Sequence, residues 1–242
     1  MWRVEIPCAI GDEDIVLAQL LGLDLAAADT DTPGIVKVWF AARNDAEQAG
    51  GAIFAIFEEE VQNWNESWQS EWSAQPVGQR LWLTPPWEDA PAPQGRLKLA
   101  MHPGTLFGNG DHPTTLLCLE ALERHFTPGC TVADIGCGSG LLQQAAKLLG
   151  AATAIGCDLD FSAAQTAPDA FQGSADAIAT KSIDVVIANI QLGVLERILP
   201  ELHRIARRTI IISGLLENQH VEGATDIHIK DGWISLTLKP PY

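Results

Sequence analysis

The sequence predicts an α/β protein: a doubly wound, mostly parallel sheet that finishes in an antiparallel hairpin, preceded by a small α+β unit. Three observations carry this expectation. From about residue 96 onward, short apolar stretches alternate with segments of helical periodicity, and such alternation implies a parallel sheet covered on both faces. Near the C-terminus, Lys230-Asp231-Gly232 separates two alternating stretches, and Asp-Gly is a strong hairpin signal. The first sixty residues read instead as strand, helix, two strands and helix, the beginning of a ferredoxin-like split.

In that first unit an alternating strand covers 2–8, and a helix covers about 12–22 with Ile15, Leu17, Leu20 and Leu21 apolar. Strands at 25–30 and 35–40 flank the turn Asp31-Thr32-Pro33-Gly34. A second helix is expected over about 45–61, where Ala49, Ile53, Ile56, Phe57 and Val61 recur at helical spacing; a fourth strand is not evident. Residues 63–94 read as an interdomain linker containing Trp64, Trp68, Trp72, Trp82 and Trp87. The first three would share one face of a helix, which reads as a packing stripe, and Pro85-Pro86 and Pro91-Ala92-Pro93 mark the end of the linker as extended. The expected organisation is therefore a small acidic domain at 1–62, the linker at 63–94 and the α/β domain at 95–242. In the last, strands are expected at 96–101, 131–135, 153–157, 170–174, 184–188 and 209–213, with helices at about 113–126, 140–149 and 193–206. The hairpin strands are 225–230 and 233–238.

Composition narrows the function classes. With 47% hydrophobic residues the chain can bury a large core, and no apolar run approaches the ~18–20 residues of a membrane span. The N-terminal residues lack the basic-then-apolar profile of a signal peptide. Five scattered cysteines, Cys8, Cys118, Cys130, Cys137 and Cys157, form no C-x-x-C pair and read as reduced thiols of a cytoplasmic protein. A net charge of −16 disfavours direct nucleic-acid binding and favours a basic partner. Residues 1–60 hold three cations (Arg3, Lys37 and Arg43) against twelve carboxylates, a net −9. That density reads either as a solvated surface or as a docking face.

The most informative stretch is Asp134-Ile-Gly136-Cys-Gly138-Ser-Gly140, followed by a helical segment and Ile155-Gly156-Cys157-Asp158. A strand that runs into alternating glycines lets a ligand approach the backbone more closely than a Cβ allows. A carboxylate about 20 residues further on suits a ribose diol. The dinucleotide loop G-x-G-x-x-G would need glycine at 141, where Leu141 stands, so NAD is not the expected ligand. The run D-x-G-x-G-x-G is instead similar to motif I of class I S-adenosylmethionine methyltransferases.

Two further segments carry chemistry. His102-Pro-Gly-Thr-Leu-Phe-Gly-Asn-Gly-Asp111-His112-Pro113-Thr114-Thr115 is a glycine-bearing loop entering a helix, with Pro113 in its first turn and His112 or Asp111 as cap. Thr114 and Thr115 then stand at a helix N-terminus, where a carboxylate such as that of a bound methionine moiety is favoured. His102, Asp111 and His112 lack the spacing of a metal site and read as polar loop residues. The strand Asp184-Val-Val-Ile-Ala-Asn189 ends in an amide that can hold an incoming amine by its N–H groups; the plain alternative is a helix N-cap.

Together these segments resemble one family, the ribosomal protein L11 methyltransferases (PrmA-type). The matching stretches are Pro103 to Thr115, Asp134 to Gly140, Ala154 to Asp158 and Val186 to Ile190, and Gly78 to Trp87 looks like the family's interdomain segment. The resemblance implies a class I methyltransferase (Rossmann-like) fold, S-adenosylmethionine as cofactor, and methyl transfer to lysine or N-terminal amines of a basic ribosomal protein. It places cofactor contacts on Thr115, Gly136, Asp158 and Asn189; the glycine loop itself adds Gly138, and Asn189 is read as also positioning the amine. Asp176 is added as an acceptor for the adenine amino group. No metal is implied, and the chain is expected to act as a monomer in the cytoplasm. Two departures stand out: Asn109 occupies a position that is usually Thr, and the stretch from Asp158 to Asn189 is shorter than usual. A relative acting on another protein, or a cofactor-binding protein without catalysis, remain open alternatives.

Overall fold

The computed structural model describes residues 1–9, 16, 17, 20, 23, 25–29, 32, 34–50, 56–58, 73–101, 110 and 112–241. The chain divides into two compact units, Met1–Trp72 and Ser73–Tyr242.

The smaller unit holds strands β1 (Trp2–Pro7), β2 (Leu25–Asp29), β3 (Ile35–Phe40) and β4 (Ile56–Glu58), with helix α1 (Arg43–Gly50) between β3 and β4. The sheet runs β2-β3-β1-β4 with every described pair antiparallel. That is the strand order of a ferredoxin-like split, in which β3 lies between β1 and β2. Alternation in β1 and β3 sends Val4, Ile6, Val36, Val38 and Phe40 to one core with Ala46 of α1. The helix expected over 45–61 is thus corrected. It ends at Gly50, and Ile56–Glu58 is the fourth strand that the sequence did not reveal. Of the first expected helix only Val16 and Leu17 are described as helical. Trp64, Trp68 and Trp72 lie outside the described residues.

In the larger unit, β5 (Gln75–Val77), β6 (Leu81–Thr84) and β7 (Leu97–Ala100) form a three-stranded sheet. Residues 73–94 therefore belong to this unit and not to a linker, and β7 is not a strand of the main sheet as expected. The main sheet contains β8 (Thr131–Ile135), β9 (Thr153–Asp158), β10 (Ala170–Gln172), β11 (Ile183–Asn189), β12 (Ala206–Leu216), β13 (Ala224–Lys230) and β14 (Trp233–Leu238). Their order is β10-β9-β8-β11-β12-β14-β13. The first five are parallel, and β14 is antiparallel to both neighbours. Helices α2 (Pro113–His125), α3 (Leu141–Leu149), α4 (Phe161–Thr166) and α5 (Leu192–Ile205) connect or flank these strands.

Local sequence explains the elements that matter for the site. Strand β11 is covered on both faces, so its run Val-Val-Ile-Ala is continuously apolar rather than alternating. Helix α3 ends at Gly150 (φ 103°), whose N–H returns to the carbonyls of Ala146 and Lys147, a glycine stop that an L side chain would strain. The hairpin turns through Asp231 (φ 50°) and Gly232 (φ 80°), the two left-handed residues of a tight turn that matches strand twist. Pairing of β12 with β14 shifts between Ile212 and Leu215, a bulge centred on Ser213-Gly214 of the kind that re-aims a strand beside a site.

Candidate active site

Beside β8 the strand order reverses: the chain goes out to β9 and β10, then crosses back to β11. Open α/β sheets bind ligands at the carboxyl ends of strands where that reversal falls. A cavity of ≈ 310 Å³ lies there, bounded by the glycine loop after β8, the ends of β9 and β11, the start of α2, Gly214 and Trp233.

The loop is shaped by backbone conformation. Gly136 and Gly138 have φ of 73° and 49°, and a Cβ on Gly136 would sit 3.0 Å from Ile190 Cδ1. Glycine therefore keeps the floor open. The loop is tied to the end of β9: the N–H groups of Gly136 and Cys137 donate to the Cys157 carbonyl at 2.8 and 3.1 Å. Gly138 N–H donates to Asp158 Oδ2 at 2.9 Å, and Asp160 N–H donates to Asp158 Oδ1 at 3.0 Å. An ionised carboxylate offers about four acceptor positions, so Asp158 is fixed in place with acceptors left for a diol.

The opposite wall comes from the start of α2. His112 caps the helix, its Nδ1 accepting from Thr114 N–H at 3.3 Å and lying 2.8 Å from Thr114 Oγ1. Its ring packs edge-on against Trp233, centroids 4.8 Å apart. Thr115 is buried, and its hydroxyl accepts from Asn189 Nδ2 at 3.4 Å. Asn189 Oδ1 is buried and has no hydrogen-bond partner among the described residues. Such an acceptor inside a protein is costly until something donates to it. The cap of α5 is Gln191, so Asn189 is not spent as a helix cap.

Under the loop, Asp134 is 1% exposed and, among the described residues, neither carboxylate oxygen finds a hydrogen bond of good geometry. Burial, with the nearby Asp158 adding to it, pushes its carboxyl up to about 7, against weaker support from the Gln143 backbone amide. Burial also pushes the Cys137 and Cys157 thiols up to about 12, so neither is a thiolate nucleophile at neutral pH.

Five of the six residues singled out from the sequence, Thr115, Gly136, Gly138, Asp158 and Asn189, line this one cavity. Asp176 does not. It sits on an exposed 3₁₀ turn (Ala175–Ala177), its carboxylate accepting from the Ser174 hydroxyl, which holds it below the usual carboxylate range. His102 and Asp111 lie outside the described residues. Trp233, Gly214 and Gln191 also line the cavity and were not anticipated. The available signals were an aromatic directly after the Asp-Gly turn and a glycine interrupting an apolar strand.

This strand order, with a glycine loop after its first strand and a carboxylate at the end of its second, defines a class I S-adenosylmethionine-dependent methyltransferase. The residues present fit that cofactor: an open glycine floor, a fixed carboxylate for its ribose, and a helix N-terminus with buried hydroxyls for its carboxylate. Comparison with known proteins narrows the class. The family description "Ribosomal protein L11 methyltransferase (PrmA)" matches residues 29–237. The ribosomal protein L11 methyltransferase of Ectopseudomonas mendocina is 38% identical over 207 residues, covering 74% of this chain and 68% of its own. That of Burkholderia lata is 37% identical over 231 residues, covering 88% and 76%. A crystal structure of a ribosomal protein L11 methylase from Lactobacillus delbrueckii subsp. bulgaricus shares the fold, with a TM-score of 0.62 at 24% identity over 71% of this chain and all of that one. The chain belongs to the ribosomal protein L11 methyltransferase family.

Proposed function

We propose that this chain transfers methyl groups from S-adenosylmethionine to lysine or N-terminal amines of ribosomal protein L11, working as a monomer in the cytoplasm. The observation that supports the site assignment best is the buried Asn189 Oδ1, which lies beside the glycine loop without a partner among the described residues. It accepts one N–H of a neutral amine and leaves the nitrogen lone pair free. The Thr115 hydroxyl fixes the amide plane by accepting from Nδ2. The backbone of Gly136 and Gly138 and the carboxylate of Asp158 hold the cofactor, which when bound supplies an activated methyl on a sulfonium.

No dedicated base is required of the protein. A lysine amine has a pKa of ~10.4 in water, and desolvation in the cavity lowers it. Alignment of a neutral amine at near-attack distance supplies ~7–11 kcal/mol of barrier reduction. The −9 charge of residues 1–60 suits the first unit to steering a basic protein toward the site.

The test is transfer of labelled methyl from S-adenosylmethionine to purified L11. Asn189→Ala should lower turnover on the order of 10²-fold while S-adenosylhomocysteine still binds. Full turnover by the variant would remove Asn189 from the reaction. Cofactor binding without methylation of L11, in the presence of other labelled ribosomal proteins, would point to a different substrate.

A further inference from the structure

The chain has 15 Lys and Arg against 31 Asp and Glu, yet four of those cations converge. Lys181, Arg207, Arg208 and Lys239 line an open cavity of ≈ 370 Å³, together with Pro240 and Pro241. Among the described residues no carboxylate lines it. The cavity lies where β11 and β12 begin and β14 has just ended, so it is at the opposite end of the sheet from Asn189, Gly214 and Trp233. The seven residues of β11 put about 20 Å between the two ends at ~3.3 Å per residue.

All four cations are exposed, and three of them, Lys181, Arg207 and Arg208, are also tethered by the protein. Asp184 Oδ2 accepts from the Thr131 N–H and hydroxyl at 3.0 and 3.1 Å. Its Oδ1 stands 3.5 Å from Arg207 Nη1 and 3.6 Å from Arg208 Nε. Arg207 Nε donates to the Lys181 carbonyl at 2.6 Å, and Lys181 Nζ donates to the Pro241 carbonyl at 2.9 Å. A guanidinium carries five N–H donors, so these anchors orient both arginines and leave donors over. Burial opposes ionisation of Asp184, but the Thr131 hydrogen bonds and the two guanidiniums keep its carboxyl below the ordinary range. One carboxylate therefore organises a cluster that remains strongly positive.

We propose that this cavity binds a compact oligophosphate anion, a free di- or triphosphate group. Arginine forks match phosphate oxygens in pairs. Among the described residues no aromatic side chain lines the cavity, so base stacking, which carries much single-strand binding, has no platform there. The rest of the chain is strongly acidic, and a polymer extending beyond the ~8–10 Å screening length would meet that field. A compact anion stays within the positive cluster.

Tripolyphosphate is the probe, titrated calorimetrically into the full-length protein at low ionic strength, with ionic strength matched by sodium chloride. Saturable binding is expected, weakened at least about tenfold by Arg207→Gln/Arg208→Gln and partly kept by Arg207→Lys/Arg208→Lys. S-adenosylhomocysteine affinity should stay within about twofold of wild type, because the two sites are far apart. Lys239→Gln, on an exposed side chain, gives a second variant in which folding is not at stake and binding should also weaken. No saturable binding by the wild type, or equal binding by the Gln variants, would overturn the proposal. An RNA oligonucleotide that binds more tightly than tripolyphosphate at equal phosphate concentration, and needs the same arginines, would overturn it in favour of a polymer backbone.

Discussion

Replacing Asp134 with asparagine should change how stability depends on pH, not merely stability itself. Burial raises the folded-state carboxyl from 3.8 to about 7, while in the unfolded chain it titrates near ~3.9. Between those values the folded state keeps a proton that the unfolded state has lost, so stability falls as pH rises, and levels off above the folded value. Asp134 is 1% exposed, so solvent screening does not discount the effect. From pH 5 to pH 8 the loss spans about two pK units at ~1.4 kcal/mol each, or about 3 kcal/mol. The amide of the Asp134→Asn variant cannot titrate and escapes that loss. Urea unfolding of both proteins across this range cancels other titrations in the difference between them. The variant's stability relative to wild type should therefore climb by about 3 kcal/mol. A difference that stays flat with pH would refute the buried-carboxylate argument.

Other outcomes follow from the site. Gly136→Ala places a methyl 3.0 Å from Ile190 Cδ1 at a φ of 73°, and calorimetry should show S-adenosylhomocysteine binding weakened by ~1–3 kcal/mol; wild-type affinity would mean the floor is not where the cofactor lies. Asp158→Ala should also weaken it, by ~1–3 kcal/mol, since it removes the ribose acceptor and the brace on Gly138; unchanged affinity would sink the assignment. A chain starting at Ser73 should keep cofactor binding but lose methylation of intact L11, and full-length activity should fall as salt rises. Equal rates for the two chains would make the acidity of residues 1–60 a solvated surface only.

The sheet that builds the site was legible because its strands are buried on both faces. Val185 to Ala188 reads as an unbroken apolar run stopped by an amide, and Val132 to Ile135 as an apolar stretch broken only by Asp134 and stopped by a glycine; the structure finds both. Strand β4 was hidden because Ile56 and Phe57 continue the helical spacing of α1, so only the pair Gly50-Gly51 betrays the break. Strand β5 carries Pro76, which argues against a central strand and fits an edge. In the site, residues close to the glycine loop or at a strand end could be picked out from their neighbours in sequence. Trp233 and Gly214 carry local signals, but nothing in the sequence ties them to the loop, because a hairpin and a bulge bring them in from distant parts of the chain. Asp176 was chosen for its place in the chain, and its side chain sits on an exposed turn and is not among the residues lining the cavity.

Each unit of this chain has its own core, Val4, Val38 and Phe40 in one and Val186, Ile210 and Leu236 among the residues of the other. Two unfolding transitions are therefore expected rather than one, in which case a single melting temperature is not well defined for the chain. Ligand linkage then becomes a label. Cofactor at 100 times its dissociation constant adds ~2.7 kcal/mol to whatever melts with the site, which is the unit from Ser73 onward. In a calorimetric scan the transition that moves with cofactor identifies that unit, and the one that stays belongs to the acidic unit at the front of the chain.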